Sequence, residues 1–162
     1  MSACSTRVSA VAYFSGPPAR GSGNPPGQVF GVEIDERVHA SIADKLFDEF
    51  GVRRRNLILS NCFDLSRDAI QDVNVIVGNP PFIRYQRFSG DLRRRALARA
   101  EEQGVRLSEL SSSWAPFLVH SSSILSPGGP LAMVVPAEVG YAALRPPDSR
   151  AFLAVSSAQF IY

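Results

Sequence analysis

Asn79-Pro80-Pro81-Phe82 stands directly after the apolar run 73–77 and Gly78. A proline pushes the residue before it out of the helical region, so Asn79 and Pro80 are both expected to be extended. Neither proline has an N–H to donate. The segment therefore reads as a stiff bracket at a strand end. Its acceptors are the Asn79 side-chain oxygen, the Asn79 carbonyl and the Pro80 carbonyl. Phe82 adds a flat apolar face beside them, and Gly78 lets a ligand come close. Acceptors beside a stacking ring suit a planar group with an exocyclic amine, as in a nucleobase.

Other polar residues fall where apolar runs stop. Glu33-Ile34-Asp35 closes the run 28–35, Asn61-Cys62 follows 56–60, and Pro136-Ala137-Glu138 follows 130–135. These runs, with 73–77, read as strands. Between them lie helical patterns. In 36–50, Val38, Ile42, Leu46 and Phe50 recur at steps of four with Ala43 and Phe47 between, and Gly51 is the expected stop. Residues 66–71 read as a short helical turn, and 89–104 as a helix with Gly104 at its end. Residues 107–129 open polar and become helical, with Trp114, Leu118, Ile124 and Leu125 inward, and close on a Ser-Pro-Gly-Gly turn. The tail, 148–162, reads as a helix and the start of a strand. Residues 15–27 are rich in Gly, Pro and Ser and read as a flexible surface loop.

Short apolar strands alternating with helices predict an α/β fold, with a mostly parallel sheet covered on both faces. In such sheets ligands bind beyond the carboxyl ends of the strands. That is why the strand-end residues carry the functional reading.

Composition narrows the classes. The chain has 162 residues, 45% of them hydrophobic and 20% charged, which suits one globular domain and not a disordered chain. No apolar run approaches the roughly 20 residues that span a bilayer, so no membrane partner is expected. Residues 1–14 lack the apolar stretch of a signal peptide, and the expected location is the cytoplasm. Two distant cysteines, Cys4 and Cys62, make neither a disulfide framework nor a zinc site. His39 and His120 sit in helical patterns and read as structural. The net charge is +2, and Lys45 is the only lysine. Arginines cluster at 53–55 and at 84, 87, 93, 94, 95 and 99, where they read either as phosphate contacts or as a solvated helix face.

The stretch "VIVGNPPFIRYQ" resembles the catalytic motif of the S-adenosylmethionine-dependent DNA adenine-N6 methyltransferases, in particular the large restriction-modification branch. "VFGVEID" is similar to the second cofactor motif of that family, and "ILSNCFDL" to the third. "WAPFLVHSSSILSPGGPLAMVVPAE" is similar to the helix, turn and strand that follow the catalytic loop. The resemblance covers roughly residues 28–140. It implies a Rossmann-like methyltransferase sheet and catalytic roles for Asn79, Pro80, Pro81 and Phe82. It implies cofactor roles for Glu33 on the ribose hydroxyls, Ile34 against the adenine ring, and Asn61 and Cys62 in place of the family's Asp-Phe pair. The implied cofactor is S-adenosyl-L-methionine. The implied partner is double-stranded DNA with a flipped adenine, with a recognition or restriction subunit or domain besides.

Departures from the pattern set further expectations. Only Ala3-Cys4 and Thr6 match the first cofactor motif, with Ser5 and Arg7 in place of its glycines. Residues 1–162 are expected to form a partial catalytic domain: 1–14 a degenerate first motif and helix, 15–27 a loop, and 28–162 a core lacking strand one, with no target-recognition domain. Two other functions follow from the same residues. One is an inactive methyltransferase remnant that binds DNA or a partner subunit. The other is a protein-glutamine or RNA-guanine N-methyltransferase, which shares the Asn-Pro-Pro-Tyr/Phe motif.

Overall fold

A computed structural model describes residues 11–15, 26–70 and 72–134 of the chain. Five strands and three helices alternate along it: β1 (Val11–Ser15), β2 (Val29–Glu33), α1 (Glu36–Phe50), β3 (Leu57–Leu59), β4 (Val73–Gly78), α2 (Gly90–Glu102), α3 (Trp114–Ile124) and β5 (Leu131–Met133). Single 3₁₀ turns cover Pro26–Gln28, Arg54–Asn56 and Cys62–Asp64. The expectations for the stretches 1–10, 16–25 and 135–162, including Pro136-Ala137-Glu138 and the tail, lie outside the described residues.

The strands form one sheet in the order β3-β2-β1-β4-β5. β2 pairs with β3 and β4 with β5 in parallel, while β1 runs antiparallel to both β2 and β4. Two features depart from the sequence reading. A strand occupies the centre of the sheet, where the sequence predicted that strand one was lacking, and its residues 11–14 are strand where a first motif and helix were expected. The parallel and antiparallel pairings are also equal in number, where a mostly parallel sheet was expected. Chain connectivity accounts for both. A parallel β1–β2 pair needs a crossover of a dozen or more residues, usually a helix. Residues 16–28 carry Gly16, Pro17, Pro18, Gly21, Gly23, Pro25, Pro26 and Gly27, a composition that cannot supply that helix. β1 and β2 therefore pair as an antiparallel hairpin. Because β1 opposes both neighbours, β2, β3, β4 and β5 still point the same way, and their carboxyl ends share one edge.

Helices cover both faces. On one, Ala43 and Leu46 of α1 pack with Val52, Leu57 and Val29 in a small core. On the other, α2 and α3 bury Phe63, Ile70, Ile76, Phe88, Ala96, Phe117 and Ile124 in the main core. Strand alternation assigns the faces: Val29 and Leu57 point to α1, and Phe30, Val32 and Ile58 point to the main core.

The span of α1 matches its predicted limits, and its ends follow from capping. Asp35 Oδ1 accepts from the Arg37 and Val38 N–H groups at 2.9 and 3.1 Å. Gly51 closes the helix at φ 67°, donating to the Leu46 and Phe47 carbonyls. The inward face is narrower than the steps of four suggested, and Phe47 and Phe50 are exposed. At 3.6 residues per turn each step of four overshoots, so Phe50 lies about 120° round from Val38.

The Ser126-Pro127-Gly128-Gly129 turn returns α3 to β5. Gly128 has φ +79°, and a Cβ on Gly129 would lie 2.6 Å from the Asn74 carbonyl. Both glycines are therefore required where the turn crosses β4.

Candidate functional site at the carboxyl edge of the sheet

Three polar strand ends meet this edge, and each is held differently. At the end of β2, Glu33 is 4% exposed. Its Oε1 accepts from the Ile34 and Asp35 N–H groups, both at 2.8 Å, which folds the carboxylate back over its own strand end. Its Oε2 is buried and has no hydrogen-bond partner among the described residues. A buried, unpartnered carboxylate oxygen is costly, and a donor of matching geometry relieves that cost. Ile34 beside it is 59% exposed and offers an apolar surface. Capping of α1 is left entirely to Asp35, so Glu33 is not a cap.

After β3, Asn61 takes the first position of the Cys62–Asp64 turn and accepts from the Phe63 N–H at 3.0 Å. Its Oδ1 is thus partly committed. Cys62 is buried in the main core. Its carbonyl accepts from His120 Nε2 at 2.8 Å. Phe63 is fully buried against Phe117, with ring centroids 4.5 Å apart. The aromatic of this turn is therefore a core residue, and neither it nor Cys62 offers an open stacking surface.

Beyond the end of β4 the bracket belongs to no helix or strand. Asn79 is exposed, and its side chain takes no hydrogen bond from the described residues. Pro80 is fully buried, while Pro81, Phe82 and Ile83 are half-buried, with Phe82 packed on the edge of the main core. β1 lies between β2 and β4. Two inter-strand spacings put the β2 and β4 ends about 10 Å apart. Val11, the first residue of β1, is paired with Val32 and Gly78 beside both. Residues 1–10, which carry the first-motif expectation at Cys4, Ser5, Thr6 and Arg7, lie outside the described residues.

The loop beyond Phe82 is anchored at both ends. Phe88 is 1% exposed, and its carbonyl accepts from Arg93 Nη1 at 3.1 Å. In the middle, Ser113 is fully buried against the segment Pro81–Ile83. The sequence reading missed Ser113, taking 111–113 as a polar helix opening. It also read His120 as structural, and the buried ring bonded to Cys62 agrees. Burial lowers the His120 pKa below its ordinary value. Arg99 pushes the same way, and the Cys62 carbonyl, Glu102 and Asp64 oppose it.

The arginines divide sharply. Arg93 pairs with Glu109, Arg94 with Asp91, Arg95 with Asp64 and Arg99 with Glu102. The α2 cluster is therefore largely neutralised within the chain. Arg84 and Arg87, on the loop after Phe82, are exposed and have no acidic partner among the described residues. Tyr85 between them is 38% exposed. At the opposite edge, before β3, Phe47, Arg53, Arg54 and Arg55 line a shallow recess of about 420 Å³. Arg54 there stacks over the Phe47 ring and pairs with Asp44.

No group of three or more metal-ligating side chains occurs among the described residues. No helix among them is long and apolar enough to cross a membrane. No known family model, curated protein or solved structure matches this chain.

Proposed function

We propose that the carboxyl edge of this sheet is a methyl-transfer site, of or descended from a Rossmann-like DNA adenine-N6 methyltransferase using S-adenosylmethionine. One observation carries the reading. Glu33, with its buried unpartnered Oε2, shares an edge with the exposed Asn79 bracket, one strand apart. The shared direction of β2, β3, β4 and β5 supports it, because doubly wound sheets bind nucleotides beyond the carboxyl ends of their strands, although β1 here runs antiparallel.

The residues fit the cofactor in part. The Glu33 Oε2 needs a donor, and a ribose hydroxyl is one. Ile34 provides an exposed apolar surface for an adenine ring. Asn61 retains acceptor capacity beyond its bond to Phe63, and Cys62 contributes only its place in the core. When bound, the cofactor supplies a methyl group made electrophilic by the adjacent sulfonium. The chain's own residues do the rest. Asn79 Oδ1 and the Pro80 carbonyl accept from the N6 amine and hold its lone pair out of ring conjugation. Phe82 stacks on the base, returning on the order of 1–3 kcal/mol against the few that flipping costs. On taking up the methyl group, N6 would release one proton to solvent. Arg84 and Arg87, exposed on the loop after Phe82, would supply contacts to backbone phosphates.

A second reading is an inactive remnant that binds DNA or a partner subunit. The buried Cys62 and the substituted first motif at Ser5 and Arg7 favour it. Incubation with methyl-labelled S-adenosylmethionine and a duplex carrying an unpaired adenine separates the two. N6-methyladenine in the digested DNA supports the enzyme. DNA binding without label supports the remnant. Label on a glutamine-bearing peptide or an RNA guanine instead, with none on DNA, moves the substrate to those classes.

A further inference from the structure

Ser113 stands at the N-cap position of α3, yet its side chain caps nothing. Serine at this position ordinarily bonds to an N–H of its own helix. Here the hydroxyl is turned away, into the loop that follows β4. Ser113 Oγ donates to the Pro81 carbonyl and accepts from the Ile83 N–H, the latter at 2.9 Å. The Ser113 N–H donates to the Ile83 carbonyl at 3.0 Å.

Those partners have a specific place in the chain. The Pro81 carbonyl belongs to the peptide group before Phe82, and the Ile83 N–H to the peptide group after it. A single hydroxyl therefore grips both peptide groups that flank Phe82, and so restrains its φ and ψ together. The Ile83 N–H also reaches the Pro81 carbonyl at 3.1 Å, which closes a tight turn centred on Phe82. Ser113 is fully buried, so no water competes for these bonds. Pro80 on one side and Phe88 on the other are also fully buried, which leaves Phe82 as the half-buried crest of a loop pinned at three points.

We propose that Ser113 is a positioning residue for Phe82, holding the ring's backbone so that its face is presented at the carboxyl edge before any base arrives. This rests on the proposed adenine site. It adds that α3, which contributes nothing to that site directly, sets the orientation of the stacking ring. A serine whose role was only to start α3 would bond to the helix, and a serine serving only as core volume would not need its hydroxyl.

The test uses Ser113→Ala in the full chain, with two readouts. The first is amide hydrogen exchange at Ile83, with the Ile76 amide in the middle of β4 as the folding control. The second is affinity for a short DNA duplex carrying an abasic site opposite one adenine. The expected result is at least ten-fold faster exchange at Ile83, unchanged exchange at Ile76, and about ten-fold weaker binding to the duplex. Ser113→Cys keeps a donor, though a weaker one on a larger atom, and should fall between. Unchanged Ile83 exchange in Ser113→Ala overturns the proposal. Faster Ile83 exchange with unchanged duplex affinity also overturns it, reducing Ser113 to a brace with no bearing on Phe82. If the parent chain does not distinguish the abasic duplex from an ordinary one, the adenine site itself fails, and with it any positioning role towards a base. Faster Ile83 exchange would in that case still record the clamp as a structural feature.

Discussion

The ends of β2 and β4 lie on the same edge of the same sheet, and they are built on opposite plans. At β2 the polar group is a buried carboxylate, half satisfied by its own backbone and half unsatisfied. At β4 it is an exposed amide with no bond to the described residues, and stiffness comes from its neighbours, Pro80 in the core and Ser113 behind the loop. The difference teaches how a fold can prepare two kinds of contact. Glu33 is committed to the fold through one oxygen and, in the proposed function, offers the other to a ligand. Asn79 is held in place while its side chain bonds to none of the described residues. Substitution should therefore separate function from stability at β4 and entangle them at β2.

The largest expected effect is at Asn79. Asn79→Ala removes one of two acceptors from the amine and should lower the methyl-transfer rate on the order of 10²–10³-fold, the size seen when one preorganised hydrogen-bonding group is lost from an active site. Its unfolding free energy should stay within about 0.5 kcal/mol of the parent, as for other exposed, unbonded positions. A rate equal to the parent's removes Asn79 from the chemistry. Glu33→Ala should behave differently. It leaves the Ile34 and Asp35 N–H groups without their acceptor, and urea unfolding should show a loss of about 1–3 kcal/mol. Glu33→Gln keeps an acceptor for those N–H groups and should recover most of that stability. If Glu33→Ala and Asn79→Ala cost the same stability, the two strand ends are not built differently.

Much of this arrangement could be read from the residues, for local physical reasons. α1 was legible to its last residue because Asp35 and Gly51 are strong terminators that act within one turn. The stop of β4 before the bracket was legible because two prolines offer no N–H to a strand ladder. The central strand was not legible: which slot residues 11–15 fill depends on what the rest of the sheet leaves open. The arginines were ambiguous for the same reason. Arg94–Asp91 and Arg99–Glu102 are pairs within the helix, but Arg95 meets Asp64 and Arg93 meets Glu109 only when distant elements are brought together. Ser113 was hidden because its partners lie some thirty positions away, at Pro81 and Ile83.

The next effect in size concerns Phe82. Phe82→Ala should weaken binding to a duplex with an abasic site opposite adenine by about 1–3 kcal/mol, while Phe82→Trp should bind nearly as well, since any flat ring stacks. Because Phe82 also packs on the main core, the alanine variant should lose some stability too. Loss of stability with no loss of binding would make Phe82 a core residue and reduce the β4 end to Asn79 alone.

A smaller effect distinguishes the loop arginines from the helix arginines. Arg84→Ala and Arg87→Ala should each lower the salt dependence of DNA binding by about one unit of slope, as expected for one phosphate contact. Arg94→Ala and Arg95→Ala, whose guanidinium groups already face Asp91 and Asp64, should leave the slope unchanged. Affinity measured across a range of salt concentrations checks both. Equal slopes for all four variants would place the DNA on α2 as much as on the loop.

The smallest effect is a pH dependence from β3, the edge strand beside β2. Here the Cys62 carbonyl is held by His120 of α3, the helix that begins at Ser113 and braces β4. The His120 ring is buried, and desolvation holds its pKa below the ordinary value of 6.5, with Arg99 acting the same way. The protonated ring still donates to Cys62 but carries its charge in a dry place. The unfolded chain takes up that proton near pH 6.5, and the folded chain does so only at lower pH. The unfolded state therefore binds more protons in between, so stability is fully present above pH 6.5 and declines as pH falls through that window. His120→Gln retains a donor without titrating, and should be less stable at neutral pH but flatter between pH 6.5 and the folded-state pKa. Urea unfolding at a series of pH values reads the slope directly. An equal slope in parent and variant would mean that another group sets the acid response, and that α3 braces the β4 end without a matching hold on β3.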